Sequence, residues 1–206
     1  MPISDCEVRD PRIRRTRQLL QSALRTLMQE KSFDEISVQD ITEAATVNRA
    51  TFYDHYTDKF SLLDAMVGSR FHMLLHERNV SYDGTCPTAA GAIILAACDY
   101  LSESRGDSAE CRRQSAFEPL IEAAITAAIR RVLMGGVTKG GLVSGLPPEM
   151  IVTTASWAIY GAVKEWINTP ARVPAEEIVP LILQLVFPIL QMARPVAFED
   201  FSVADS

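Results

Sequence analysis

Apolar residues in this chain recur at three- and four-residue steps and nowhere alternate convincingly with period two, which is the pattern of helices that each bury one stripe. Ile13, Leu20, Ala23, Leu24, Leu27 and Met28 predict a first helix from Arg12 to Lys31. A break at 32–37 precedes a short second helix, Val38 to Ala45, with Ser37 as N-cap and Asp40 placed to close a capping box. Asn48 caps a third short helix ending near His55, and Thr57 or Asp58 caps a fourth, long one reaching about Asn79. Beyond the Asp-Gly and Pro break at 82–87, further helices are predicted over Thr88–Glu103, from Pro119 to Met134, over Pro148–Asn168 and over Pro174–Met192. The segment 135–148, GGVTKGGLVSGLPP, reads as a loop, and Pro180 and Pro188 should kink the last helix. The fold class expected is all-α, with about nine helices, short ones first and long ones later.

Composition narrows this further. The chain has 206 residues, 48% of them apolar, enough for a substantial core. Acids outnumber bases 26 to 20 for a net charge of −6, which excludes a uniformly basic nucleic-acid coat but leaves room for a local patch. Such a patch exists: residues 9–17, RDPRIRRTR, carry five arginines against Asp10, whereas 18–60 sum to −3 and 61–206 to −5. Alone, an arginine run is equally a solvated helix start, and it opposes the helix dipole unless an anion compensates.

Other chemistries find little support. Cys6, Cys86, Cys98 and Cys111 form no C-x-x-C pair, so neither a zinc ribbon nor a thioredoxin-like motif is expected. The start MPISDCEVRD has acids where an export signal needs an apolar core, and the longest small-and-apolar run, Ala89 to Cys98, is about half a membrane span. The expectation is a soluble, cytoplasmic protein with no membrane association and no cofactor. There are three histidines, no Glu-x-x-His pair, no Gly-rich phosphate loop, no nucleophile elbow and no H-E-x-x-H, so an enzyme is not expected. His72 and His76 have a spacing that can place two imidazoles on one metal, but no third ligand is identified on that face, and no metal site is expected.

Residues 37–59, SVQDITEAATVNRATFYDHYTDK, have the form of a helix-turn-helix. Ile41, Ala44, Ala45, Val47, Phe52 and Tyr56 are available to lock two short helices together. With Phe52 and Tyr56 inward, Arg49, Thr51, Tyr53 and His55 are left to meet base edges or phosphates. The stretch VNRATFYDHYTDK, with its FDEIS lead-in at 33–37, resembles the TetR/AcrR family of transcriptional regulators.

The resemblance implies that Tyr53, His55 and Lys59 touch DNA, with Lys59 on a phosphate, that Arg49 and Thr51 face the groove, and that Gln39 reaches into it. Ser37 and Asn48, at the helix starts, complete that set, and Arg15 and Arg17, with Arg12 and Arg14, lie near the DNA backbone. Two positions depart from the family pattern: Thr46 stands where glycine is common in the turn, and Phe60 where an acid is usual. Phe60 is expected to pack on the first helix.

The same resemblance divides the chain into a DNA-binding domain at 10–58, a connecting helix at 59–79, a ligand-binding and dimerisation domain at 80–193 and a tail at 194–206. It implies a homodimer through the last two long helices, a palindromic double-stranded DNA operator, and release by a small apolar or aromatic effector. His72, Tyr100, Phe117, Trp157 and Tyr160, with Trp166, are the candidate lining, ordinary core packing being the alternative. The expected function is a ligand-responsive repressor; the alternatives are an activator or a ligand-independent, architectural DNA-binding protein.

Overall fold

Four side-chain caps set where the N-terminal helices begin. In the computed structural model, which describes residues 10–79, 81–83, 86–106, 118–139 and 146–192, Asp10 accepts from the Arg12 N–H at 2.8 Å and opens α1, Pro11–Glu30. Ser37 accepts from the Asp40 N–H at 3.1 Å and opens α2, Val38–Ala45. Asn48 accepts from the Ala50 N–H at 2.9 Å at the head of α3, Arg49–His55. Asp58, of the two caps expected, accepts from the Ser61 N–H at 2.7 Å and starts α4, Lys59–Glu77. Each cap satisfies a backbone donor the helix itself leaves unpaired.

The remaining helices are α5, Pro87–Gly106, α6, Glu118–Lys139, α7, Pro148–Asn168, and α8, Ala175–Gln191. With one 3₁₀ turn at Phe33–Glu35, the described residues hold eight α-helices and no strand, against the nine or so helices expected. One boundary needs correction. The helix expected to stop at Met134 continues through Gly135 and Gly136 to Lys139. Glycine weakens a helix by about 1 kcal/mol without forbidding it, and burial of Leu133 and Val137 offsets that cost. α8 likewise runs through Pro180 and Pro188, both exposed, so that water can reach the carbonyls they leave without a partner.

α4 organises the molecule. Leu62, Leu63, Val67, Phe71, Leu74 and Leu75 are buried along it. It packs against α1, on which α2 lies and through it α3, and also against α5 and α6. α7 lies against α5, α6 and α8. Polar contacts also join these helices: Arg70 Nε donates to Glu103 at 2.9 Å and Arg78 pairs with Asp99, joining α4 to α5. Lys164 bridges Glu118 at 2.9 Å and Glu122 at 3.0 Å, joining α7 to α6. The Trp166 indole donates to the Val173 carbonyl at 2.8 Å and fastens the α7–α8 turn. Among the described residues no helix is long and apolar enough to cross a membrane.

Candidate nucleic-acid interface

The α2–α3 unit closes around Ile41, Ala45, Phe52 and Tyr56, all buried, with Val47 half-buried; Ala44, expected in this lock, is exposed. The turn between the helices closes through Thr46 itself, at φ 54° and ψ 43°, a left-handed conformation unfavourable for a β-branched residue. Its N–H donates to Glu43 at 3.0 Å and the Val47 N–H donates to Thr42 at 2.9 Å, so the turn forms without glycine.

The register of α3 follows from the Asn48 cap and the inward Phe52. Arg49, Ala50, Tyr53 and Asp54 form its exposed face, whereas Thr51 and His55 flank the buried side and are half-buried. Ala50 and Asp54 were absent from the sequence expectation, which followed every second residue where a helix turns by about 100° per residue. The cap and the inward aromatic were the signal that would have found them. Arg49 and Tyr53 act as a pair, with the guanidinium 5.7 Å from the ring centroid. Gln39, on α2, is exposed and donates to Glu43 at 2.9 Å. Ser37 and Asn48 both use their side chains as caps.

Two of the expected DNA-contacting cations are engaged within the chain itself. Arg12, Arg14 and Arg15 are exposed at the start of α1, but Arg17 is only 8% exposed and lies over the Tyr56 ring at 5.6 Å. Beside it Gln21 donates to the Tyr56 hydroxyl at 3.2 Å, so this turn of α1 faces the core and its arginine is largely covered. Lys59 turns back on its own chain, donating to the carbonyls of Phe33, Asp34 and Ile36 at 2.9, 3.1 and 2.9 Å. Phe60 packs on Phe33, with centroids 5.4 Å apart.

The sequence of residues 20–66 matches the family model of the bacterial regulatory proteins, tetR family. Residues 20–66 are thus similar to the N-terminal module of that family. An uncharacterized HTH-type transcriptional regulator, YxbF of Bacillus subtilis (strain 168), is 44% identical to it over 59 residues, 28% of this chain and 16% of that one. The HTH-type dhaKLM operon transcriptional activator DhaS of Lactococcus lactis subsp. lactis (strain IL1403) is 30% identical over 67 residues, 32% of this chain and 36% of that one. These matches thus span well under half the length of either relative, and both relatives are named as regulators rather than enzymes. A tetR-family regulator from Streptomyces coelicolor A3 shares the fold at a TM-score of 0.58 and 17% identity, over 89% of this chain and 99% of its own.

The candidate effector residues lie beyond the tetR-family module. Tyr100 on α5 and Tyr160 on α7 are buried in the core, and burial first of all pushes both phenols up to about 12. His72 on α4 is half-buried and His76 exposed, and no group of three metal-ligating side chains occurs among the described residues. Trp166, near the end of α7, is buried. Trp157, expected in a lining, is 49% exposed, its ring T-shaped to that of Tyr160 at 6.3 Å. Phe117 and the tail from 193 onward lie outside the described residues.

Proposed function

We propose that this chain is a transcriptional regulator that binds a palindromic DNA operator as a homodimer and is released by a small apolar or aromatic effector. The observation that carries this reading is the exposed face of α3, with Arg49 and Tyr53 paired on it, braced by α2 in a tetR-family module. Arg12, Arg14 and Arg15 are exposed on α1, in a chain whose net charge is −6. One basic face on an acidic protein attracts a duplex while the remaining charge holds down nonspecific affinity. Residues 10–58 then act as the reader, 59–79 as the lever, and 80–193 as the effector-binding and dimerisation part of a cytoplasmic protein.

Pairing of two copies through α7 and α8 is supported by what those helices leave exposed. Met150 and Trp157 on α7, Leu181 and Leu185 on α8, and Met192 just beyond it are large apolar side chains open to solvent, Leu185 by 70%. A run of this kind on a lone subunit marks an interaction face. Two-fold pairing presents two copies of α3 about one DNA turn apart, ~34–36 Å, which demands a palindrome.

Release follows from the position of α4, shared between the reader and the larger part. An effector lodged near His72, Tyr100 or Tyr160 displaces α4, and the spacing of the two readers changes with it. By linkage, DNA then weakens effector binding by the same factor. The name of DhaS supports a second reading in which occupancy activates transcription; transcription from a template bearing the operator separates the two.

The test is selection of bound fragments from random duplexes, then a screen of small molecules for release. Enrichment of one palindrome and its loss on adding a compound is the expected result. Broad binding with no motif, or a subunit that stays single at micromolar concentration, overturns the reading.

A further inference from the structure

We propose that Lys59 is a positioning residue: its ammonium pins the first turn of α4 to the carbonyls just before α2, and so sets the reader on its lever, instead of meeting a phosphate. The inference rests on the DNA-binding reading above. An ammonium has three donors. Those of Lys59 have three carbonyl acceptors, Phe33, Asp34 and Ile36, none farther than 3.1 Å. To reach a phosphate, the side chain would have to surrender bonds already made.

The surroundings favour the cation in this place. Lys59 is the first residue of α4, where a positive charge opposes the helix dipole. Turning back, it meets instead the carbonyl end of the 3₁₀ turn at 33–35, the end that attracts cations. The Phe33 ring lies 4.8 Å from the ammonium and the Phe60 ring 5.8 Å, adding two aromatic faces. An acid at position 60 would compete for the ammonium; the ring that stands there covers it and leaves it on the carbonyls.

The mechanical consequence follows from chain order. Ile36 leads directly into Ser37, the cap of α2, and α2 braces α3. The first turn of α4 therefore moves together with the base of the reader. Without the pin, the segment leading into α2 loses its bonds to the first turn of α4, and the two readers of a dimer lose their fixed separation.

The experiment uses a duplex selected by the wild-type full chain, with binding measured well below the unfolding temperature over a series of salt concentrations. Lys59→Met keeps the stem and removes the charge. Its affinity should fall at least about tenfold, since tenfold is the scale of a single charge-assisted hydrogen bond and three are removed, while the dependence on salt keeps its slope. Lys59→Arg should not rescue it, since a planar fork does not fit three carbonyls, although it would serve a phosphate well. In the wild type, the Lys59 ammonium resonance should be visible in nitrogen-detected spectra of the free protein and stay in place when the duplex binds.

A slope shallower by about one, rescue by arginine, or a shift of that resonance on binding overturns the proposal in favour of a phosphate contact. Unchanged affinity in a folded Lys59→Met overturns it in favour of a purely structural role. Should Lys59→Met fail to fold, Phe60→Ala uncovers the pin without touching a charge and must weaken binding at unchanged slope; if it does not, the proposal falls. A wild-type protein that binds no duplex overturns the proposed function, and this inference with it.

Discussion

The Arg49 guanidinium lies over the Tyr53 ring, 5.7 Å from its centroid, with Nη2 3.4 Å from the phenolic oxygen. Both side chains are exposed on α3, one turn apart. The ring holds a long, flexible cation in one direction before DNA arrives, and so lowers the entropy lost on docking. Arginine pairs bidentately with guanine, each good pair being worth about 1–3 kcal/mol of discrimination. Arg49→Ala should therefore relax the selected half-site at a single position, as read by sequencing of bound fragments. An unchanged motif would show that Arg49 does not read a base.

Thr46 carries backbone strain that the fold tolerates. Its left-handed φ of 54° costs an L-residue roughly 1–2 kcal/mol, and its side chain is exposed, so nothing is lost by removing it. Glycine gives back part of that gain through the greater freedom of the unfolded chain. Thr46→Gly should raise stability by about 1 kcal/mol in urea unfolding, and Thr46→Val should not. A Thr46→Gly protein no more stable than wild type would mean the turn closes differently in solution.

Gly161 tests the pairing of α7 and α8. A Cβ built there meets no atom within 4 Å in the single subunit. Gly161→Arg should leave the subunit folded, with helix propensity improved by about 0.5–1 kcal/mol. In a dimer packed on this face it would bury an unpaired cation. Sedimentation should show the mass dropping from two chains to one, together with loss of tight binding to the palindrome. A dimer that survives the substitution pairs through another surface.

The Asp40 carboxylate offers a pH signature for the start of α2. It accepts from the Ser37 N–H and hydroxyl, both at 2.7 Å, and pairs with Lys31 at 3.0 Å. The Ser37 backbone bond first, then the hydroxyl and Lys31, lowers its pKa from 3.8 to about 2. A depressed carboxylate stabilises the fold above its ordinary value and loses that contribution as pH falls through the folded one. Asp40→Asn should therefore flatten acid unfolding between 3.8 and about 2, while destabilising the protein at neutral pH. Carbon-detected titration should give an Asp40 midpoint near the lower figure; one near 3.8 would mean the box is open in solution.

What was legible in advance was local. Ser37 with Asp40, and Asn48 before an apolar residue four positions on, are patterns complete within a few residues, and they located α2 and α3 without knowledge of anything distant. The spacing of Leu20, Ala23, Leu24 and Leu27 did the same for α1. The error at Ala50 and Asp54 was one of period, since the cap and Phe52 together carried enough to orient the helix. Gly135 and Gly136 were misjudged because propensity is a small term that burial of Leu133 and Val137 outweighs.

The sequence alone determined an all-α chain with a capped helix-turn-helix and a basic first turn on an acidic body, because capping, helical periodicity and charge are properties of near neighbours. Only the tertiary structure decided where the long side chains go. Arg17 turns to Tyr56, Lys59 to carbonyls as many as 26 residues earlier, and Trp157 to solvent. A cation on a long stem satisfies its donors with whichever acceptors the fold brings within about 3 Å, and chain segments remote in sequence supply them.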